Sequence, residues 1–451
     1  MTQSCHDLVV VGGGINGVGI ARDAAGRGLS VLLCEQDDLA AHTSSASTKL
    51  IHGGLRYLEH GEFGLVRKAL REREVLLRAA PHIIWPLRFV MPHDSGQRPA
   101  WMIRAGLFLY DHLARRERLP GSGHVNLARH VAGAPLKPAF KRAFIYSDAW
   151  VQDARLVVLN AMDARARGAR IATRTRLISA QRGPAAWSLD LRHADGQCET
   201  VQARVLVNAT GPWVGTLLGD VLGLGAAHAV RLVKGSHIVV KRLFDHPDAY
   251  LFQNPDRRII FAIPFEERFT LIGTTDVDYH GDPARAAISA EEISYLCRMA
   301  SRYFSRALTP AEVVWSYAGV RPLLDDAAGD PASVTRDYTL ELDTEAAPAL
   351  SIFGGKLTTY RKLAEQAVAR IQPLLGNRAA PWTANAVLPG GDFPRGDFAG
   401  FLNQVRQQHR WLPADLAFRL ARNYGTRIER ILHGASDVAG LGDEVLPGLY
   451  A

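Results

Sequence analysis

Hydroxyl, imidazole and guanidinium groups crowd into one short run, TSSASTKLIHGGLRYLEHGEF, residues 43–63. Its first part is too polar for a buried strand, and the Gly53-Gly54 pair would weaken a helix interior. Such a run is suited to meeting a ligand. Thr43, Ser44, Ser45 and Ser47 can exchange hydrogen bonds with phosphate or ring atoms; the competing reading is a series of caps for the helix that follows. His52 has a reference pKa near neutrality, as proton transfer requires. Just beyond the glycine pair, Arg56 offers a permanent charge with the fork geometry of a phosphate ligand, and Tyr57 adds a hydroxyl.

A second constellation, Gly12, Gly14 and Gly17, spells GxGxxG directly after the apolar run DLVVV and at the start of a helical pattern. The first glycine permits a tight turn, the second lets backbone approach a pyrophosphate, and the third lets helix pack on strand. Asn16 lies inside the motif, and Glu35, 18 residues beyond Gly17, ends the next apolar run, where it can accept hydrogen bonds from a ribose. An acid there disfavours a 2′-phosphate. The competing reading, a glycine turn in an unliganded α/β protein, leaves Glu35 and the strand-turn-helix context unexplained. In a third cluster, Gly354-Gly355-Lys356 followed by Thr358 and Thr359, an ammonium group stands at a helix start, where anionic charge is stabilised.

The elements carrying these groups can be read from periodicity. A strand at 8–11, a helix at 15–27 and a strand at 29–34 open a parallel sheet. ARVLVNATGPWV supplies a buried strand at 205–208 and a turn holding Thr210 and Gly211, and residues 350–371 repeat the strand, glycine turn and helix order. Three such units imply one discontinuous α/β nucleotide domain, residues 1–85, 148–229 and 316–380, threaded by a dinucleotide long enough to be FAD rather than NAD. Residues 86–147 and 230–315, with runs such as SHIVV and RIIFAIPF, form an α+β substrate domain on an antiparallel sheet, and 381–451 a small helical domain.

With 451 residues, 47% hydrophobic and 22% charged, the chain can bury a large core. Its net charge of +8 suits an anionic substrate, an anionic membrane or nucleic acid without choosing among them. Cys5, Cys34, Cys198 and Cys297 are too scattered for a disulfide scaffold or zinc site, so no metal is expected and a reducing compartment is. Met1 runs straight into a strand with no secretory signal, which points to the cytoplasm. No apolar run reaches the roughly 18 residues of a membrane-spanning helix, so any membrane contact is peripheral.

The blocks VVVGGGINGVGIARDAAGRGLSV, SSASTKLIHGGLRYLEHGEF, PAWMIRAGLFLYDHL, LVNATGPWV, KGSHIVV, IGTTDVDY, GVRPL, TRDY and FGGKLTTYRKLAE together resemble the aerobic FAD-dependent glycerol-3-phosphate dehydrogenases of bacterial membranes. The resemblance runs from about residue 7 to the end. It implies an FAD-binding Rossmann-like domain of the glutathione-reductase/D-amino-acid-oxidase type. It also implies oxidation of sn-glycerol 3-phosphate to dihydroxyacetone phosphate, with hydride transfer to flavin and electrons passed to a quinone. Family members usually continue several tens of residues past the position of Ala451, so a truncated C-terminal domain is expected.

Roles follow from the same resemblance. Arg56, Arg321 and Arg336 are expected to hold the phosphate with help from Tyr57, although Arg336 could equally pair with Asp337. His237 is placed first and His52 second as the base; a histidine that only shapes the pocket is the competing reading of each. Arg321 could also lower the pKa of the substrate hydroxyl. Lys356 is expected at the flavin or the substrate. The FAD contacts fall to Gly12, Gly14, Asn16, Gly17, Glu35, Thr43, Ser44, Ser45, Ser47, Gly53, Gly54, Thr210, Gly211, Gly355, Lys356 and Thr358.

Two basic, partly apolar stretches, LVRKALREREVLLRAAP and WMIRAGLFLYDHLARRERL, are candidates for a bilayer interface, against a reading in which each packs on the core. The expected partners are sn-glycerol 3-phosphate, a membrane quinone and an anionic membrane on its cytoplasmic face, with a homodimer left open and no nucleic acid. Three alternatives stay open: an oxidase passing electrons to O₂, a flavin enzyme for another hydroxy or amino acid, and a silent flavin-binding scaffold.

Overall fold

Residues 8–11 alternate between two cores, which explains why DLVVV becomes an inner strand. In the computed structural model Leu8 and Val10 pack with helices on one face of a sheet, while Val9 and Val11 pack with Trp187 and Leu206 on the other. Burying each such side chain stabilises the fold by roughly 1.5–3 kcal/mol. The structure describes residues 5–94, 96–225, 228–256, 258–324, 337–446 and 449–450.

The chain begins β1 (Cys5–Val11), α1 (Ile15–Gly26), β2 (Val31–Cys34), β3 (Leu50–Ile51), α2 (Phe63–Ala79), β4 (Ile84–His93), α3 (Ala100–His112), β5 (Gly123–Asn126) and β6 (Arg142–Val151). It continues through α4 (Asp153–Ala166), β7 (Arg170–Ala172), β8 (Thr175–Arg182), β9 (Trp187–His193), β10 (Cys198–Asn208) and one-turn α5 (Val214–Thr216). Then come β11 (Val230–Lys241), β12 (Ala249–Gln253), β13 (Ile259–Phe265), β14 (Phe269–Gly273), β15 (Val277–Asp278), α6 (Ala290–Tyr303) and β16 (Val313–Leu324). The described chain closes with β17 (Tyr338–Asp343), β18 (Ala349–Gly354), α7 (Tyr360–Ile371), α8 (Phe398–Gln408), α9 (Ala414–Tyr424), α10 (Ile428–Leu432) and a terminal strand pair.

The first sheet has the order β17-β18-β10-β1-β2-β7, with the β8-β9 hairpin joined at β10. β1 lies between β2 and β10, parallel to both, with Leu8 opposite Val31 and Val205. The second sheet runs β15-β11-β14-β13-β12-β4-β6-β3, with β16 on β11 and β5 on β6. Thus Leu50–Ile51 and Val313–Leu324 extend the second sheet, bringing the polar run after β2 and the Arg321 strand to the junction between sheets. α6 is fixed at its start by Ser289 and Glu292, which form a reciprocal capping box.

The two basic stretches part company. α2 buries Leu65, Val66 and Leu70 together with Arg73, and so packs into the core. α3 buries only Ile103, Leu107 and Tyr110, leaving Trp101, Met102, Phe108 and Leu109 exposed. Helices α8 to α10 form their own small core. Arg422 fastens them, its guanidinium 3.6 Å from the Phe398 ring centre and 4.3 Å from that of Trp85. Among the described residues no helix is long and apolar enough to cross a membrane.

Candidate active site

The glycine turn after β1 has no room for side chains. Gly12 has φ +113°, and a Cβ there would stand 2.5 Å from the Ala209 carbonyl oxygen; one at Gly17 would stand 1.9 Å from that of Gly12. Glu35 closes the turn from β2, its Oε2 accepting from the Gly13 amide at 2.6 Å and its Oε1 from the Asp37 amide at 2.8 Å. At the start of α1 the Ile15 amide donates to Ser44 Oγ at 3.0 Å. The helix end and Ser44 therefore share one cavity wall.

That cavity, of about 420 Å³, is lined by both predicted groups. Gly12, Gly14, Glu35, Ser44 and Thr210 belong to its nucleotide-type wall, and Thr48, His52, Tyr57, Arg321 and Lys356 bring the reactive side chains. Asn16 reaches from α1 to Gly354, donating to its carbonyl at 3.2 Å, while its Oδ1 is buried with no hydrogen bond among the described residues. Gly355, at φ +101°, leaves room for Asn16, since a Cβ there would stand 2.8 Å from its amide nitrogen. This cradle of backbone amides at a helix N-terminus fits a dinucleotide pyrophosphate, whereas the unsatisfied Asn16 Oδ1 can only accept, from a hydroxyl or N–H of a ligand.

The hydroxyl cluster is more structural than its composition implies. Thr43 donates to the Val320 carbonyl at 2.7 Å, Ser45 to the His42 carbonyl at 3.1 Å, and Ser47 to Asp153 at 2.7 Å. Lys49 grips the same Asp153 at 2.6 Å. These bonds fix the loop, and Thr43, Ser44 and Ser47 still line the cavity. Thr210 donates to Asn208 at 2.7 Å, shaping the turn in which Gly211 takes φ +58°.

On the reactive side, Arg321 donates to Asp276 at 2.6 Å and to Thr274 at 3.0 Å. Gly235 makes space for it, since a Cβ there would meet the guanidinium at 2.3 Å. Tyr57 lies against Gly54, whose φ of +76° and lack of a side chain admit the ring, and the Lys356 ammonium sits 4.0 Å from the ring centre. Lys356, Gly355 and Thr358 all line the cavity, and Thr358 Oγ1 accepts from the His52 amide at 3.2 Å.

The two histidines differ. His52 lines the cavity, whereas His237 is buried behind it, stacked on Tyr317 at 4.7 Å with Nε2 2.9 Å from the Thr48 hydroxyl. Burial, then the charges of Arg321 and Lys49, pushes the His237 pKa well below the ordinary imidazole value, leaving it neutral at pH 7. Arg56 is half-buried outside the cavity lining, with no hydrogen bond or ion pair among the described residues. Gly17, Ser45, Gly53 and Gly54 likewise lie behind the wall rather than on it. Arg336 lies outside the described residues. Asp276, Asp153 and Thr48 were missed from sequence; Asp276 stands in IGTTDVDY and Thr48 inside the hydroxyl run, so their signal was adjacency to blocks already singled out.

Comparison with known proteins agrees with this geometry. Residues 7–361 match the family described as FAD dependent oxidoreductase. A glycerol-3-phosphate dehydrogenase of Pseudomonas aeruginosa is 56% identical over 99% of this chain and 87% of its own length. The aerobic glycerol-3-phosphate dehydrogenase of Escherichia coli is 51% identical over 97% of this chain and 87% of its own length. A D-erythritol 1-phosphate dehydrogenase of Brucella abortus is 50% identical over 98% and 88%. Among solved structures, the glycerol-3-phosphate dehydrogenase of Bacillus halodurans complexed with FAD superposes with a TM-score of 0.78 at 30% identity, covering 97% of this chain and 79% of that one. The chain thus belongs to the FAD-dependent oxidoreductases, within the group of the glycerol-3-phosphate dehydrogenases.

Proposed function

We propose that this enzyme oxidises sn-glycerol 3-phosphate to dihydroxyacetone phosphate and passes the electrons to a membrane quinone. The observation that carries the reading is the single cavity in which a nucleotide cradle and the cationic groups Arg321 and Lys356 meet. Bound FAD supplies the acceptor for the hydride leaving C2; the protein must hold the phosphate dianion and take the proton of the C2 hydroxyl.

Arg321 and Lys356 hold the dianion and orient the polyol chain, with Tyr57 and Arg56 behind them and Arg336 as a further ligand. Asp276 keeps the guanidinium aimed along the wall while tempering its charge, and Lys356 adds positive charge where negative charge accumulates on reduction. For the proton, His52 offers an imidazole at the cavity itself. His237 meets Thr48 of the cavity wall through Nε2 at 2.9 Å, so its part is a hydroxyl relay with a neutral imidazole behind it. Glu35, Ser44, Thr210 and the glycine amides hold the nucleotide, and Thr43, Ser45 and Ser47 keep the wall in shape.

A second substrate reading rests on the erythritol phosphate relative, which is nearly as similar as the others. Steady-state rates with sn-glycerol 3-phosphate and D-erythritol 1-phosphate, each with a quinone analogue and with O₂ alone, separate these readings. A kcat/KM ratio favouring glycerol phosphate, together with little hydrogen peroxide when quinone is present, is expected. Preference for the longer polyol or stoichiometric peroxide would replace the proposal. The outer face of α3, with exposed Trp101, Met102, Phe108 and Leu109 beside exposed Arg104, supports peripheral contact with an anionic bilayer, from which the quinone would be drawn. Co-sedimentation with anionic vesicles, lost on Trp101→Ser/Phe108→Ser, checks this.

A further inference from the structure

The inner face of α3 carries a group that the functional reading does not use. Tyr110, 1% exposed, aims its hydroxyl at the glycine turn between β3 and α2. The Gly53 amide donates to that hydroxyl at 2.8 Å, and the hydroxyl donates to Asp148 Oδ1 at 2.7 Å. The same carboxylate oxygen lies 3.2 Å from the Gly53 amide and accepts from Arg73 Nη1 at 2.7 Å. Arg73 comes from α2 and Asp148 from β6, so α3 and β6 meet the Gly53 amide directly and α2 backs the carboxylate.

From this convergence we infer that Tyr110, backed by Asp148 and Arg73, is a positioning residue for the turn that presents His52 and Tyr57 to the substrate. The turn is gripped from two sides. The His52 amide donates to Thr358, beside the cofactor-side helix, and the next amide, that of Gly53, donates to Tyr110 and Asp148. A Cβ on Gly53 would stand 2.6 Å from the Tyr110 oxygen and 2.4 Å from Leu70, so the amide is held close with no side chain between. One residue on, Gly54 turns left-handed and lays Tyr57 beneath Lys356. Fixing one peptide therefore fixes both an imidazole and a phenol on the cavity wall. A buried ion pair such as Arg73–Asp148 contributes little net stability against its desolvation, and its value is in holding the acceptor that orients the Tyr110 hydroxyl.

The inference rests on the substrate reading above, and its test separates the two. Tyr110→Phe keeps the ring packing and removes both hydroxyl bonds. In the holoenzyme, flavin content and melting temperature should stay near wild type. KM for sn-glycerol 3-phosphate should rise about tenfold while kcat falls less than threefold. Hydrogen exchange at the Gly53 amide should quicken about tenfold. Unchanged KM and exchange in a flavin-loaded variant would overturn the inference, as would loss of flavin and thermal stability with KM unchanged, which marks a merely structural residue. Should Tyr110→Phe not fold, Asp148→Asn is read in the same way, with exchange at Gly53 deciding. If wild type does not oxidise the sugar phosphate, the substrate reading fails, and the exchange comparison alone decides whether Tyr110 positions the turn.

Discussion

The glycine turn after β1 and the Gly53-Gly54 turn, proposed above to serve nucleotide and substrate, both hold backbone in a closely packed place, by opposite means. In the cradle the constraint is largely local: Gly17 packs on Gly12 and Glu35 on Gly13 within the first βαβ unit, with Gly12 also facing Ala209 after β10, and the fit is enforced by the absence of side chains. In the substrate turn it is imported, because Gly53 is held by Tyr110 from α3 and Asp148 from β6, while Arg321 comes from β16 with Asp276 beside it. Local steric constraints fail all at once. Networks of imported hydrogen bonds fail by degrees.

That contrast orders the expected effects. Gly17→Ala, which drives a methyl into the Gly12 carbonyl, should give protein with almost no bound flavin; absorbance per mole of protein checks it, and retained flavin would break the contrast. Arg321→Met should lower kcat/KM for sn-glycerol 3-phosphate by about a hundredfold with flavin still bound. Loss of flavin in that variant would mean the two regions are not separable.

A control away from both regions is His82, buried beside the C-terminal helices with neither ring nitrogen hydrogen-bonded among the described residues. Burial, helped by Arg155 and Arg422, pushes its pKa down to about 3. Its pKa in the unfolded chain is near 6.5, so its neutral form contributes stability above that pH and loses it as pH falls from about 6.5 towards 3. Between pH 6.5 and 5 the loss should approach about 2 kcal/mol. Urea denaturation at pH 7 and pH 5 should show a shallower loss for His82→Asn than for wild type. The smallest effect is expected at Gly168, exposed between α4 and β7, where a side chain meets nothing within 4 Å and only the left-handed φ of +96° is at stake. Gly168→Ala should cost about 1–2 kcal/mol of stability, with flavin retained, in contrast to Gly17→Ala.

Legibility from sequence followed the same division. GxGxxG after DLVVV can be read because strand, turn and helix are contiguous, and the observed α1, Ile15–Gly26, ends one residue before the helix read from periodicity. The β10 strand is longer than its apolar core because CETVQA pairs with β9, an antiparallel partner whose register no local pattern announces. The substrate turn was visible as unusual chemistry in TSSASTKLIHGGLRY, but its anchors were not. Tyr110 was hidden in a stretch that could be read as lipid-facing, and only three-dimensional contact shows that one face of α3 is buried and the other bare. The sequence offered His237 as a candidate base, whereas its burial behind Thr48 depends on β11 pairing with β14 and β16.

The most direct test of the account is an anaerobic titration of the flavin-loaded protein with sn-glycerol 3-phosphate, followed by visible absorbance. If the cradle and the Arg321–Lys356 side serve one cavity as described, the oxidised flavin bands should bleach to completion at saturating substrate, and Arg321→Met should require far more substrate for the same bleaching. A wild-type protein whose flavin stays oxidised at saturating sugar phosphate would contradict it.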